Sequence, residues 1–140
     1  MGVKTYNFKE VILIIKGNHI TGFADGTSIT VERNSDAFTY QKNVDGGGTR
    51  SKSNDNSGRI TFSLAQTAAA NAILSAIAQL DELTAAGTFV VLIKDNQGRS
   101  LHTCETGWIV KAPNAEYGME SSAREWIIET DNLIHFVGGN

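Results

Sequence analysis

A few side chains in this sequence stand where chemistry is conceivable. His102 and Cys104 are two residues apart, so on a strand they share a face, where an imidazole could take the proton of a thiol and release a nucleophile. The sequence supplies no third group to orient that imidazole. His19 and His135 are distant in the chain, and no i, i+4 or Cys-x-x-Cys spacing marks a metal site. All three histidines are therefore read as ordinary strand or surface positions, with no metal and no cofactor expected. Glu125 and Glu129 fall on one face of an extended segment and could pair as acid and base, but exposed sheet faces carry such charges routinely. Gly46-Gly47-Gly48 has no Gly-Lys-Ser/Thr after it and opens no helix, so it reads as a flexible loop and not a phosphate cradle. Arg50, Lys52 and Arg59 make the same region basic. Asp45 and Asp55 interleave with them and no aromatic residue within the stretch offers stacking, which favours contact with protein over contact with nucleic acid. The expectation is a protein that is not an enzyme.

The stretch that holds those glycines and cations runs from Asp45 to Arg59 without one aliphatic or aromatic side chain. It has too little apolar surface to offset its own ordering entropy, and is expected to be mobile in an isolated subunit. Because it joins two strand-like pieces, Phe38 to Val44 and Arg59 to Leu64, it reads as the tip of a long β-hairpin projecting from the body. A loop of this length inside a compact domain is functional or disordered.

The body is organised around Gly58 to Gly87. Ile60, Phe62 and Leu64 alternate with polar residues as in a half-buried strand. From Thr67 to Leu83 the period changes to that of an amphipathic helix. Ile73, Ile77 and Leu80, widened by Leu74, form an apolar stripe opposite Asn71, Ser75 and Glu82. Burying those four aliphatics is worth on the order of 6–12 kcal/mol before entropy, so the helix must dock on a sheet. Thr67 is the expected N-cap and Gly87 the expected left-handed terminator. Asp81 and Glu82 lie at the negative end of the helix dipole and call for a basic partner.

Around this centre, Val11 to Ile15 reads as a strand covered on both faces and central in the sheet. Asp25-Gly26 is turn chemistry, and Ile29 with Val31 opens another strand. Phe89 to Ile93 is a second apolar strand, turned by Asp95 to Gly98 into Ser100 to Thr106. Trp108 to Val110 continues it, Arg124 to Thr130 follows, and Leu133 to Val137 extends that last strand. Short antiparallel strands with one helix give an α+β fold, mainly an antiparallel β sandwich or barrel whose helix covers an open end or face. With 140 residues, 41% of them hydrophobic, a single domain over 1–140 is expected. The formal net charge of −3 argues against coating nucleic acid. The single cysteine makes no internal disulfide and suits a reducing cytoplasm. The apolar run Val11 to Ile15 is too short to span a bilayer, so no membrane partner is expected.

Four segments together resemble a known family: Gly22-Phe23-Ala24-Asp25-Gly26; Val44-Asp45-Gly46-Gly47-Gly48-Thr49-Arg50-Ser51; Gln66-Thr67 with Asn71 and Leu74; and the ending Phe136-Val137-Gly138-Gly139-Asn140. The sequence is similar to the small tail tube proteins of contractile-tailed bacteriophages over nearly its whole length. It departs from them at Ala68-Ala69-Ala70, where the family often reads Ser-Pro-Ser. The resemblance implies a sandwich-like barrel, shared with the tubes of type VI secretion and of pyocins, that closes into hexameric rings stacked inside a sheath. It also implies tape measure and baseplate partners, a channel through which genomic DNA passes without specific binding, and a place in the virion after assembly in the host cytoplasm. Residues 43–59 become an extended assembly loop, with Asp45, Gly46, Gly47, Gly48, Arg50, Lys52, Asn54, Asp55 and Arg59 as candidate inter-subunit contacts. The readings kept beside it are a pyocin or type VI secretion tube and a monomeric β-barrel that binds a ligand in its mouth.

Overall fold

The structure, a computed structural model, describes residues 2–26 and 29–139; Asn140 of the terminal motif lies outside them. A single 3-10 turn, Phe8–Glu10, leads into β1 (Val11–Ile15) and the two-residue β2 (Asn18–His19). There follow β3 (Ile29–Arg33), β4 (Phe38–Lys42), β5 (Gly48–Lys52) and β6 (Gly58–Ala65). The helix α1 (Ala70–Thr84) precedes β7 (Phe89–Asp95), β8 (Leu101–Lys111), β9 (Ala123–Thr130) and β10 (Leu133–Phe136). Among the described residues, one sheet runs in the order β2-β1-β7-β8-β9-β6-β3, with β10 also on β8 and every pairing antiparallel. The α+β class holds, and the sheet is a sandwich-like wrap, not a closed barrel.

Alternation sets the core. Leu13 and Ile15 align with Ile93 and Val91 of β7, and these with His102 and Cys104 of β8, so one face of three strands meets Ile60, Phe62, Leu64, Trp126 and Ile128 from β6 and β9. β1 is not central. Only β2 lies outside it, and Ile12 and Ile14 on its other face are half-buried, so its unbroken apolar run does not mark burial on both faces. Leu133 to Phe136 does extend β9: both run along the same edge of β8 in one register, interrupted only at Asp131 and Asn132. The chain from residue 18 to 24 spans the two ends of the sheet. Asn18 to Ile20 bonds β1, and Gly22 to Ala24 bonds β6 through Ala65 N to Gly22 O at 2.8 Å and Ala24 N to Ser63 O at 3.0 Å.

The helix docks as its stripe requires, with Ala70, Leu74 and Ile77 buried in the same core, worth roughly 1.5–3 kcal/mol for each of the two large side chains. It starts later than expected, and its N-cap is Ala69, which offers no side-chain bond; Thr67 does not cap it. The left-handed residue at its end is Ala85 (φ 55°), not Gly87. Gly87 is needed for a different reason: its backbone packs on Asp81, where a Cβ would collide, and its N–H donates to Asp81 Oδ1 at 3.0 Å. Asp81 thus takes a backbone partner in place of the expected cation. Ile73 and Leu80 remain partly exposed, so the apolar stripe is wider than the surface covering it. Asn71, expected on the solvent face, turns inward: it accepts from Trp126 Nε1 at 3.0 Å and donates to Ala65 O at 2.9 Å, satisfying the one polar atom of the largest core side chain.

Candidate assembly site

The long hairpin is one antiparallel ladder made in two parts. Its lower part pairs β3 with β6, Arg33 opposite Gly58; its upper part pairs β4 with β5, Phe38 opposite Lys52. Between them Asn34 N bonds Ser57 O at 3.1 Å and Ser53 N bonds Ala37 O at 2.8 Å. Ser35 and Asp36 therefore oppose Asn54, Asp55 and Asn56. One extra residue at this junction is a bulge, which interrupts the ladder and bends the strand that carries it, and β4 with β5 forms a separate two-stranded sheet beyond it.

The segment expected to lack structure contains a strand. Gly48 to Lys52 bonds β4 along its length because backbone pairing needs no buried side chain, although every residue of both strands is exposed. Phe38, Tyr40 and Lys42 share one face with Lys52, Arg50 and Gly48, while Thr39, Gln41, Thr49 and Ser51 make the other face neutral and polar. The Arg50 guanidinium lies 3.7 Å from the centre of the Phe38 ring, a cation-π contact, and Tyr40 lies over Gly48 where any Cβ would strike its ring. Aromatic faces are thus present, supplied by the opposite strand and not by the Asp45 to Arg59 stretch itself.

The turn at the tip is built by Asp45, Gly46 and Gly47. Gly46 takes φ 95°, Gly47 N–H donates to Asp45 Oδ1 at 3.1 Å, and Asn43 N–H donates to Gly47 O at 2.7 Å. Asp55 organises the junction: it accepts from Ser35 Oγ at 2.7 Å and from Ser57 N–H at 3.0 Å, while its own N–H donates to Ser53 Oγ at 3.2 Å. Bonds from the Ser57 hydroxyl, then from the Ser35 hydroxyl and the Ser57 N–H, hold its carboxyl down at about 2 from 3.8. Asn54 lies exposed beside it. The bulge also rests on β10, through Leu133 N to Asn56 O at 2.8 Å and Arg33 Nη2 to Leu133 O at 2.7 Å.

Arg59 does not belong to the tip. It sits in β6 directly across from Glu129, which it binds at 2.6 Å, and Glu129 also accepts from Asn34 Nδ2 at 3.0 Å. Glu129 is therefore a structural clamp at the foot of the hairpin and not half of a carboxylate pair with Glu125. His102 and Cys104 do share the inner face, yet His102 meets His135 across the sheet, Nδ1 to Nδ1 at 2.8 Å, and Cys104 is buried, its thiol pushed up by desolvation. Burial, and then the charge of His135, lowers His102. The sequence brought no partner to His135; the cross-strand register does.

Sequence reasoning read Phe38 to Val44 as strand-like without singling out Phe38, Tyr40 or Ser35 as candidate site residues, and it missed the strand β5. The available signal was the alternation of Phe38 and Tyr40 with Thr39 and Gln41, mirrored after the glycines by Thr49-Arg50-Ser51-Lys52.

Residues 3–138 match the family described as the bacteriophage PhiTE tail tube protein. The structural protein ORF10 of Pseudomonas phage KPP10 is 34% identical over 146 aligned residues, which cover 97% of this chain and 83% of that protein. Three solved structures share the fold. The sheath/tube terminator of an extracellular contractile injection system, PVC, in its extended state, superposes with a TM-score of 0.63 at 12% identity, covering 96% of this chain and 99% of that one. The PVC sheath-tube complex gives 0.61 at 12% identity, covering 89% and 86%, and the tube-terminating cap of the anti-feeding prophage gives 0.58 at 10%, covering 96% and 93%. With the family match running over nearly all of its length, the chain belongs to the bacteriophage tail tube family, a structural component of the phage virion and not an enzyme.

Proposed function

We propose that this chain builds the inner tube of a contractile tail by forming hexameric rings that stack, and that the arm from Phe38 to Lys52 reaches a neighbouring copy. The observation that carries this reading is an ordered ribbon with no core of its own, displaying Phe38 and Tyr40 at 46% and 68% exposure. Aromatic and arginine side chains held outward on a scaffold are the groups that dominate protein interfaces. Charge agrees: the ribbon holds Lys42, Arg50 and Lys52 against Asp45 alone, whereas the whole chain is net acidic at −3. A cationic arm on an acidic body suits a contact between copies, and head-to-tail contacts generate rings or filaments. Asp45, Gly46, Gly47, Gly48, Arg50 and Lys52 form the reaching part, while Asn54 and Asp55 set its angle and Arg59 anchors its foot.

The tube so formed conducts the genome, and its net negative charge adds no phosphate-neutralising drag. Sheath, tape measure and baseplate proteins are its other partners, and its assembly takes place in the host cytoplasm. The test removes the ribbon where Ser53 already bonds Ala37, joining those residues through an Asn-Gly turn. The expected product is a folded subunit, keeping the helical far-ultraviolet circular dichroism signal and a cooperative thermal transition, that makes no tubes in negative-stain images. Tubes of ordinary length from that variant overturn the arm's role.

A further inference from the structure

The register of β10 on β8 sets His135 directly opposite His102, with ring centroids 4.6 Å apart and planes inclined at 34°. Both rings lie on the inner face of the sheet. Their row continues into the buried Ile93 and Leu13, and the next row holds Val91, Cys104 and Leu133. Each ring is half-buried against that apolar wall, which limits its rotamers. The Nδ1 atoms converge at 2.8 Å, so one carries a proton and the other offers its lone pair.

The same convergence suits a cation. At metal–nitrogen distances of about 2.0–2.1 Å, two nitrogens this far apart subtend roughly 90° at the ion, well short of the tetrahedral angle that zinc prefers. Right-angled cis positions belong to tetragonal copper(II) and nickel(II), for which imidazole is a favoured ligand. We propose that His102 and His135 form a two-imidazole site for a divalent cation with right-angled coordination, copper(II) or nickel(II), which clips β10 to β8. The donor ring moves its proton from Nδ1 to Nε2, both Nδ1 lone pairs then face the ion, and no net proton leaves the neutral pair. Among the described residues no third histidine, cysteine or carboxylate completes a protein cage, so water fills the other positions.

The test titrates the purified full-length chain with nickel(II), copper(II) and zinc(II) chlorides in a non-chelating buffer, by calorimetry and by thermal unfolding. One nickel or copper ion per chain at micromolar concentration is expected, with a rise in Tm of several degrees that exceeds the rise with zinc. His102→Gln or His135→Gln abolishes it and His19→Gln leaves it intact. Binding that survives both of the first two substitutions, or that disappears with the third, overturns the site. Where a substitution unfolds the subunit, electron paramagnetic resonance of the copper-loaded native chain decides: coupling to two imidazole nitrogens supports the proposal, and coupling to one or none refutes it.

Discussion

The two parts of the long hairpin carry the same backbone pattern in opposite surroundings. In the lower part, β6 is paired on both edges, by β3 and by β9, and its Ile60, Phe62 and Leu64 are buried. In the upper part, among the described residues, β4 and β5 pair only with each other and every residue of both is exposed. A two-stranded ribbon alone is marginal in water, so the body must hold the arm at its foot, where Asp55, Arg33, Asn34 and the Arg59–Glu129 pair converge. What the comparison teaches is that strand formation and stability separate along a single ladder: hydrogen bonds shape the arm, and burial stabilises only the base.

The contrast is broken most severely from the buried side. Phe62→Ala is expected to cost ~3–5 kcal/mol in urea denaturation, whereas Tyr40→Ala on the arm changes folding stability by under ~0.5 kcal/mol while impairing assembly. Equal stability losses for the two would erase the distinction. Next, Asn71→Leu leaves Trp126 Nε1 without its acceptor and is expected to destabilise the subunit by ~1–3 kcal/mol, checked by the shift in the urea midpoint.

Acid sharpens the comparison at two places. His102 is held below 6.5 in the fold, so the unfolded chain binds more protons as pH falls; the stability contributed by neutral His102 is complete above that pH and is lost progressively below it. Denaturation at about pH 7.5 and about pH 5 should show this loss in the native subunit and a smaller one in His102→Gln. The Arg59–Glu129 pair is partly exposed, and a double-mutant cycle should return only ~0.2–1 kcal/mol, reduced further by salt. The smallest effect on global stability is at Asp55. Its bonds are complete above 3.8 and are lost as pH falls through about 2, and Asp55→Asn should speed amide exchange at Ser57 and in the arm without altering the β6–β9 ladder.

Periodicity made the body legible: β6 and β9 lie where alternation put them, β7 lies where its apolar run put it, and Leu74 and Ile77 bury as their spacing demands. What failed were decisions made by tertiary neighbours. The helix start needed no capping side chain, Asn71 found an indole to bind, and β1 ended near a sheet edge, none of which is written in local spacing. On the arm, the absence of apolar residues was read as absence of structure, although β5 needs only the backbone of β4. The bulge that aims the arm was invisible because it depends on two strands counted against each other, and the His102–His135 contact likewise depends on register across thirty-three residues.

The span from residue 18 to 24 has a mechanical consequence. It is bonded to β1 at one end and β6 at the other, and its corner fits only because Gly22 (φ 85°) has no Cβ to strike Ala68. A tug that would otherwise peel the wrap open from a free margin must first detach this strap at one end or the other, so the two margins of the sheet are tied together rather than left to part rung by rung.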